Sequence, residues 1–410
     1  MQICTAVTLG EWRDVEPDPI DPGTPFADTQ EDGKNEVRRV LSDCFRSNNF
    51  VVLTGLGTSL YVNVDKEESQ AGQRIPLTGR KIAPTMWALW EQAKARAGAN
   101  FPKVLELVRY PTDERSAGNI EALLSQCKLA LEFLGEGADK ALIATFVSDT
   151  EAIIRDEVDF LGSSDVVPLH TELLRRIVRR TSRKVRPKIF TTNYDLCFEH
   201  AARQGRYVVV DGFSHSSPQT FDSMYFGYDI VTRLADSEAY EYISNVLHLY
   251  KLHGSLDWEK DPETGEIVRR AAAGSPLLIY PRNTKYEHAF EQPYIEMMTA
   301  FQAALRQPNT GLLVVGFGFN DNHLSEPILS AVRANLSLKM VVCDPSLVVK
   351  SMENRFVRDF KSLIDQGDAR LSLVAGTFED VVPHIPDIAA QTDFEAHLER
   401  VRLLRGHDNA

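Results

Sequence analysis

The chain is poor in cysteine, in positive charge and in long hydrophobic runs, and each shortage removes a class of explanation. Its five cysteines, at 4, 44, 127, 197 and 343, lie far apart. Neither a zinc-ligand cluster nor a disulfide framework can be drawn from them, so no metal is expected, and the spacing fits a reducing cytoplasm. Lysine and arginine number 45 against 58 aspartates and glutamates, a formal net charge of −13. That balance argues against broad binding to nucleic acid or to an anionic membrane. No apolar run reaches membrane length, and Met1-Gln2-Ile3-Cys4 is not a basic start followed by an apolar stretch. We found no internal repeat and no low-complexity tract, and the reading is of a soluble, cytoplasmic protein.

What the chain does have is enough apolar material, 43%, for a full core across its 410 residues. Residues 1–34 are rich in Pro, Asp and Gly, with turn chemistry in Pro17-Asp18-Pro19-Ile20-Asp21-Pro22, and read as a tail or a partner-binding arm. A helix is expected from Asn35, with Val37, Val40, Leu41 and Cys44 on one stripe. Continuous apolar runs then alternate with helical spacing, as expected for strands of a parallel sheet covered on both faces. These runs are Asn49–Thr54, Lys188–Asp195, whose apolar part stops at Asn193, Tyr207–Val210, Asn245–Leu252, Pro276–Tyr280, Gly311–Val315, Lys339–Cys343 and Leu371–Val374. A hairpin is expected to turn at Pro262-Glu263-Thr264-Gly265. Over 84–180 the pattern is helical throughout. One stripe holds Ile120, Leu123, Leu124, Cys127, Leu131 and Leu134, a second holds Ile143, Phe146, Val147, Ile154, Val158 and Leu161, and Trp87 and Trp90 add bulk. The expected fold is α/β and Rossmann-like: a mostly parallel sheet with helices on both faces (35–83 and 181–390), a large helical insertion (84–180), no zinc module, and an amphipathic helix over 391–410. The basic run Arg175, Arg176, Arg179, Arg180, Arg183, Lys184 and Arg186 reads as a solvated helix face, or as a grip on phosphate or an acidic partner.

Ligand sites in open α/β sheets lie at the carboxyl ends of the strands. Five strand ends here carry Gly55-Leu56-Gly57-Thr58-Ser59, Thr192-Asn193-Tyr194-Asp195, His253-Gly254-Ser255, Gly316-Phe317-Gly318 and Asp344-Pro345. Each has an ordinary reading and a functional one. The glycine pairs are either tight turns or loops that let a pyrophosphate approach the backbone. Asn193 and Asp195 either cap the next helix or face a ligand. Asp344 either caps a turn or accepts from ribose hydroxyls, and His253, beside a Gly-Ser turn, is placed to exchange a proton near neutral pH.

In order and type these motifs resemble the sirtuin family of NAD-consuming enzymes, over roughly residues 49–344. The resemblance implies that Gly55, Gly57 and Ser59 contact the phosphates and ribose of NAD, and that Asn193 orders water or ribose at the scissile bond. It further implies that Asp195 takes the nicotinamide amide, that His253 is the catalytic base, and that Gly316, Phe317, Gly318 and Asp344 line the adenosine side. Two Cys-x-x-Cys pairs, usual in protein-deacylating sirtuins, are absent, as is a Pro-Asp-Phe-Arg segment. The chain is in this respect more similar to sirtuin-like NAD hydrolases of bacterial antiphage defence, including the subunit that assembles with a HerA-type ATPase. The expectation is an NAD glycohydrolase with NAD as substrate, no metal, a homo-oligomeric state and such an ATPase as partner. The alternatives are an NAD-dependent deacylase and a non-catalytic subunit that binds NAD or ADP-ribose.

Overall fold

Short runs of aliphatic and β-branched residues build the centre of the molecule. The computed structural model describes residues 1–15, 29–69, 73–112, 118–179, 185–233, 240–270, 276–278, 292–388, 397 and 400. Nine strands share one sheet: β1 (Gln2–Thr5), β2 (Arg13–Asp14), β3 (Asn49–Thr54), β4 (Lys188–Thr191), β5 (Val208–Val210), β6 (Val246–Lys251), β7 (Thr310–Val315), β8 (Lys339–Cys343) and β9 (Leu371–Ala375). Across the sheet the order is β2-β1-β9-β8-β7-β3-β4-β6-β5. From β9 to β5 every pairing is parallel, and only β1 and β2 run antiparallel. The protein is thus a mixed α/β fold of Rossmann-like kind.

The helices are α1 (Thr29–Phe45), α2 (Met86–Ala97), α3 (Phe101–Leu107), α4 (Ile120–Phe133), α5 (Ala138–Val158), α6 (Pro168–Val178), α7 (Cys197–Gly205), α8 (Tyr294–Arg306), α9 (Asn322–Ala334), α10 (Leu347–Glu353), α11 (Arg355–Asp365) and α12 (Phe378–Val381). Successive strand residues point to opposite faces, and the two cores follow that period. Val51, Leu53, Leu312, Val314, Met340 and Val342 pack with Phe301 of α8, Leu324 of α9 and Phe360 of α11. Phe50, Val52, Leu313, Val315, Val341 and Cys343 pack on the other face with Leu41 of α1, Leu173 of α6 and Phe198 of α7. Both faces are therefore covered, as the unbroken apolar runs require.

A third core belongs to α2, α3, α4 and α5. Trp90, Phe101, Ile120, Leu123, Ile143 and Phe146 are buried against one another, and Tyr194, which follows β4, joins them. Trp87, expected to add bulk beside Trp90, is 56% exposed.

Several elements depart from the sequence expectation. Residues 1–15 are not a tail: β1 lies on β9, hydrophobic Ile3 and Cys4 are buried, and the sheet gains an antiparallel edge. The Pro-Asp run at 17–22 lies outside the described residues. Helix α1 begins at Thr29 rather than Asn35. Pro276–Leu278 is not in the parallel sheet; it pairs with Gly254–Lys260 in a separate antiparallel sheet that includes the expected hairpin with Ile267–Arg269. Helix α6, expected within the helical insertion, packs on the main sheet through Leu173, Leu174 and Ile177 rather than in the core of α2 to α5. Its arginines form neither a solvated face nor a phosphate grip. Arg175 bonds Glu172 at 2.6 Å and Asp387 at 2.7 Å, and Arg176 bonds Glu172 and the carbonyls of Pro383 and Ile385. Arg180, Arg183, Lys184 and the helix expected over 391–410 fall outside the described residues, apart from 397 and 400.

Candidate active site at the strand ends

Strands β8, β7, β3, β4 and β6 are neighbours and parallel, so their carboxyl ends share one edge of the sheet. Beneath α2, α4 and α5 that edge opens into a cleft of about 1230 Å³. Among its lining residues are Gly55, Gly57, Asn193, Asp195, His253, Gly316, Phe317, Gly318 and Asp344. Of the residues given a role by the resemblance, only Ser59 is not part of the lining.

The two glycine turns interlock. The amide of Gly57 donates to the Gly316 carbonyl at 3.0 Å, and that of Gly55 to the Val315 carbonyl at 3.3 Å. A Cβ on Gly57 would lie 2.6 Å from Gly316 Cα, and one on Gly316 2.7 Å from Gly57 Cα. Gly316 also has φ +64°, a left-handed conformation that glycine adopts without steric cost. These glycines thus let two loops touch backbone to backbone.

Behind the loops a chain of side chains ties β3 to β4. The Asn193 amide nitrogen donates to Ser59 Oγ at 2.9 Å, to the Gly55 carbonyl at 3.2 Å and to Thr58 Oγ1 at 3.4 Å. Ser59, expected to meet phosphate or ribose, is instead fully buried and donates to Asp195 Oδ2 at 2.7 Å. Asp195 Oδ1 accepts from the backbone of Cys197 at 3.0 Å, the helix-start role that any strand-end aspartate can take. Beneath them Lys251, 2% exposed, donates to the carbonyls of Tyr194 and Asp195 and pairs with Glu199 at 3.2 Å.

His253 ends the β6 motif, where the chain turns into the smaller sheet through Gly254 at φ +87°. A Cβ at 254 would meet the Leu277 carbonyl at 2.0 Å, so only glycine fits this turn. The imidazole is buried, and its Nε2 lies 3.0 Å from Asp321 Oδ2. The other oxygen of Asp321 accepts from the His323 amide at 2.9 Å, capping α9. Glu121 of α4 also lines the cleft, and its Oε1 accepts from Tyr194 Oη at 2.9 Å; the Tyr194 and His253 rings are 6.3 Å apart. Burial alone would lower the imidazole pKa, yet the Asp321 bond and charge, aided by Glu121, leave it above the ordinary histidine value. Burial pushes the Asp321 carboxyl up, but His253 outweighs it and holds that group below the usual range. Glu121 is raised, because burial outweighs the pull of His253 and of the Tyr194 hydroxyl.

Asp344 lies at the other end of the cleft, its carboxylate held by Ser346 and Lys350. Among the described residues no cluster of three or more histidine, cysteine or acidic side chains could hold a metal.

Sequence reasoning missed Asp321, Glu121, Tyr194 and Lys251. A lysine inside the apolar run Val246–Lys251 was a usable signal, since an unpaired buried lysine is costly. Asp321 follows the second glycine turn at the start of α9, where an aspartate is an ordinary cap, so nothing local marks it as a partner of His253. Glu121 sits inside a helical stripe, and nothing local marks it.

No helix among the described residues is long and apolar enough to cross a membrane. No curated protein matches the chain. Among solved structures it is similar to a Sir2 homologue in complex with ADP-ribose, with 11% identity, TM-score 0.34, and 85% of this chain and 95% of that one covered. A second is a Sir2 homologue–NAD complex, with 14% identity, TM-score 0.33, and coverage of 88% and 94%. Residues 187–359, which carry Asn193, Asp195, His253, Asp321 and Asp344, match the family model of the SIR2-like domain.

Proposed function

We propose that the protein hydrolyses NAD at the bond between nicotinamide and ribose, releasing nicotinamide and ADP-ribose. The observation that carries this reading is the buried His253–Asp321 pair in the same cleft as Asn193 and the two glycine turns. The SIR2-like match of the segment bearing these residues supports it. Drug-sized ligands usually occupy about 300–1,000 Å³, and the larger cleft has room for a dinucleotide.

In the reaction, the oxygen of a water bonds to the anomeric carbon through an oxocarbenium-like state, the C–N bond breaks with its electron pair going to the pyridinium nitrogen, and one water proton leaves. His253 would take that proton. Asp321 holds Nε2, so Nε2 keeps its hydrogen and Nδ1 is the accepting nitrogen. Asn193 directs its amide hydrogens at the loop, which leaves its carbonyl oxygen to accept from the water. The carboxyls of Asp321 and Glu121 both act electrostatically on the imidazole, an arrangement suited to positive charge developing nearby.

The test is to incubate the purified protein with NAD and to follow free nicotinamide. General-base assistance is worth about 10²–10⁴ in rate, so His253→Ala and Asn193→Ala should reduce turnover to near background while retaining cooperative melting. Wild-type rates in both variants would refute the assignment. Release only on addition of an acyl-lysine peptide would make the protein a deacylase, and NAD binding without release a non-catalytic subunit. The antiphage role, the homo-oligomer and the HerA-type ATPase partner belong to this proposal and rest on motif likeness; co-purification with such an ATPase tests the last.

A further inference from the structure

The segment from β7 through Gly316-Phe317-Gly318 and α9 to β8 is a strand, a glycine turn, a helix and a second parallel strand, with Asp344 immediately after it. In a dinucleotide unit of this form, an acid near that place accepts from a ribose 2′-hydroxyl, whereas a cation there accommodates a 2′-phosphate. Here the acid is already engaged. Asp344 Oδ1 accepts from the backbone N–H and the hydroxyl of Ser346 at 2.8 and 2.5 Å, and Oδ2 accepts from Lys350 Nζ at 3.0 Å.

Lys350 also overhangs the glycine turn, since a Cβ built on Gly318 would lie 3.4 Å from its Nζ. Its side chain is 21% exposed, so the ammonium can reach a ligand without leaving a buried site. Arg355, paired with Glu326, and Glu353 also line the cleft. An uncompensated carboxylate would repel a phosphate dianion; this one is neutralised by Lys350.

We propose that this end of the cleft accepts a 2′-phosphorylated dinucleotide, NADP, as well as NAD, and that Lys350 is the residue that recognises the phosphate. The inference rests on the reading of the cleft as a dinucleotide site. It adds a substrate class and a specificity residue to that reading.

Equilibrium titration with NAD and with NADP tests it without requiring turnover. The wild-type protein should bind NADP within about tenfold of NAD. Removal of a charge-assisted hydrogen bond to phosphate corresponds to roughly tenfold or more in affinity, so Lys350→Met should weaken NADP by that factor while NAD changes by less than about threefold. Lys350→Arg should retain NADP binding. Were Lys350→Met to melt non-cooperatively, Ser346→Ala provides a second variant, expected to weaken NADP more than NAD. NAD binding with NADP about a hundredfold weaker, or equal losses for both ligands in Lys350→Met, would overturn the inference and leave the proposed function standing. Binding of neither nucleotide would remove both.

Discussion

The floor of the cleft consists of backbone, and its roof of side chains. On the floor, Gly55, Gly57 and Gly316 bring two loops into direct contact, and their carbonyls and amides pair with one another. The roof, α2 to α5, has its own core and reaches the site through Tyr194 and Glu121. A backbone floor tolerates almost no added atoms, whereas a side-chain roof tolerates replacement and changes chemistry gradually. Rigidity and tuning are thus assigned to different parts of the chain, and mutation should separate them.

The largest expected effect is on the buried His253–Asp321 pair. Asp321→Asn removes the charge that orients His253 and should lower nicotinamide release by about 10² or more, measured at saturating NAD. On the floor, Gly316→Ala places a methyl 2.7 Å from Gly57 Cα at φ +64°. Strain plus clash should cost about 3 kcal/mol, read as a loss of denaturation midpoint together with loss of NAD binding.

On the roof, Tyr194→Phe removes a single hydrogen bond worth about 1 kcal/mol, so melting should shift modestly while the rate falls by about tenfold or less. Glu121→Gln keeps an acceptor for Tyr194 but removes charge from beside His253. Asp321 and Glu121 raise the His253 pKa, and a base must be neutral to act, so activity should climb as pH rises through that raised value. The midpoint should move to lower pH in Glu121→Gln; an unchanged profile would show that roof and floor are electrostatically independent.

The smallest effect lies far from the cleft. Bonds from Arg175 and Arg176 hold the Glu172 carboxyl down to about 2. A carboxylate whose folded pKa lies below its unfolded value, about 4.3, adds stability above that value and loses it as pH falls toward the folded pKa. Wild-type protein should therefore melt above Glu172→Gln at pH 7, with the gap closing between about pH 4 and 2.

The central strands were legible because buried parallel strands need unbroken apolar runs: Asn49–Thr54 and Lys339–Cys343 match to the residue, and the strand from Lys188 starts where expected but ends at Thr191, short of its polar tip. The strand Gln2–Thr5 was not, because four residues in a Pro-, Asp- and Gly-rich N-terminal stretch carry too little periodicity to outweigh composition. Pro276–Leu278 shows the converse: apolar content signals burial, not which sheet provides it.

By itself, the sequence determined which residues stand at the strand ends, since strand period and turn chemistry are local. It also determined that glycines occupy the two turns. Only the tertiary structure decided that Ser59 faces inward, that Asp321 bonds His253, and that Lys350 neutralises Asp344. The physical reason is that a side chain's hydrogen-bond partner, and hence its charge state, depends on which segments the folded sheet places side by side. Sequence separations of 68 residues for His253 and Asp321, and 73 for Tyr194 and Glu121, put those partners beyond any local pattern.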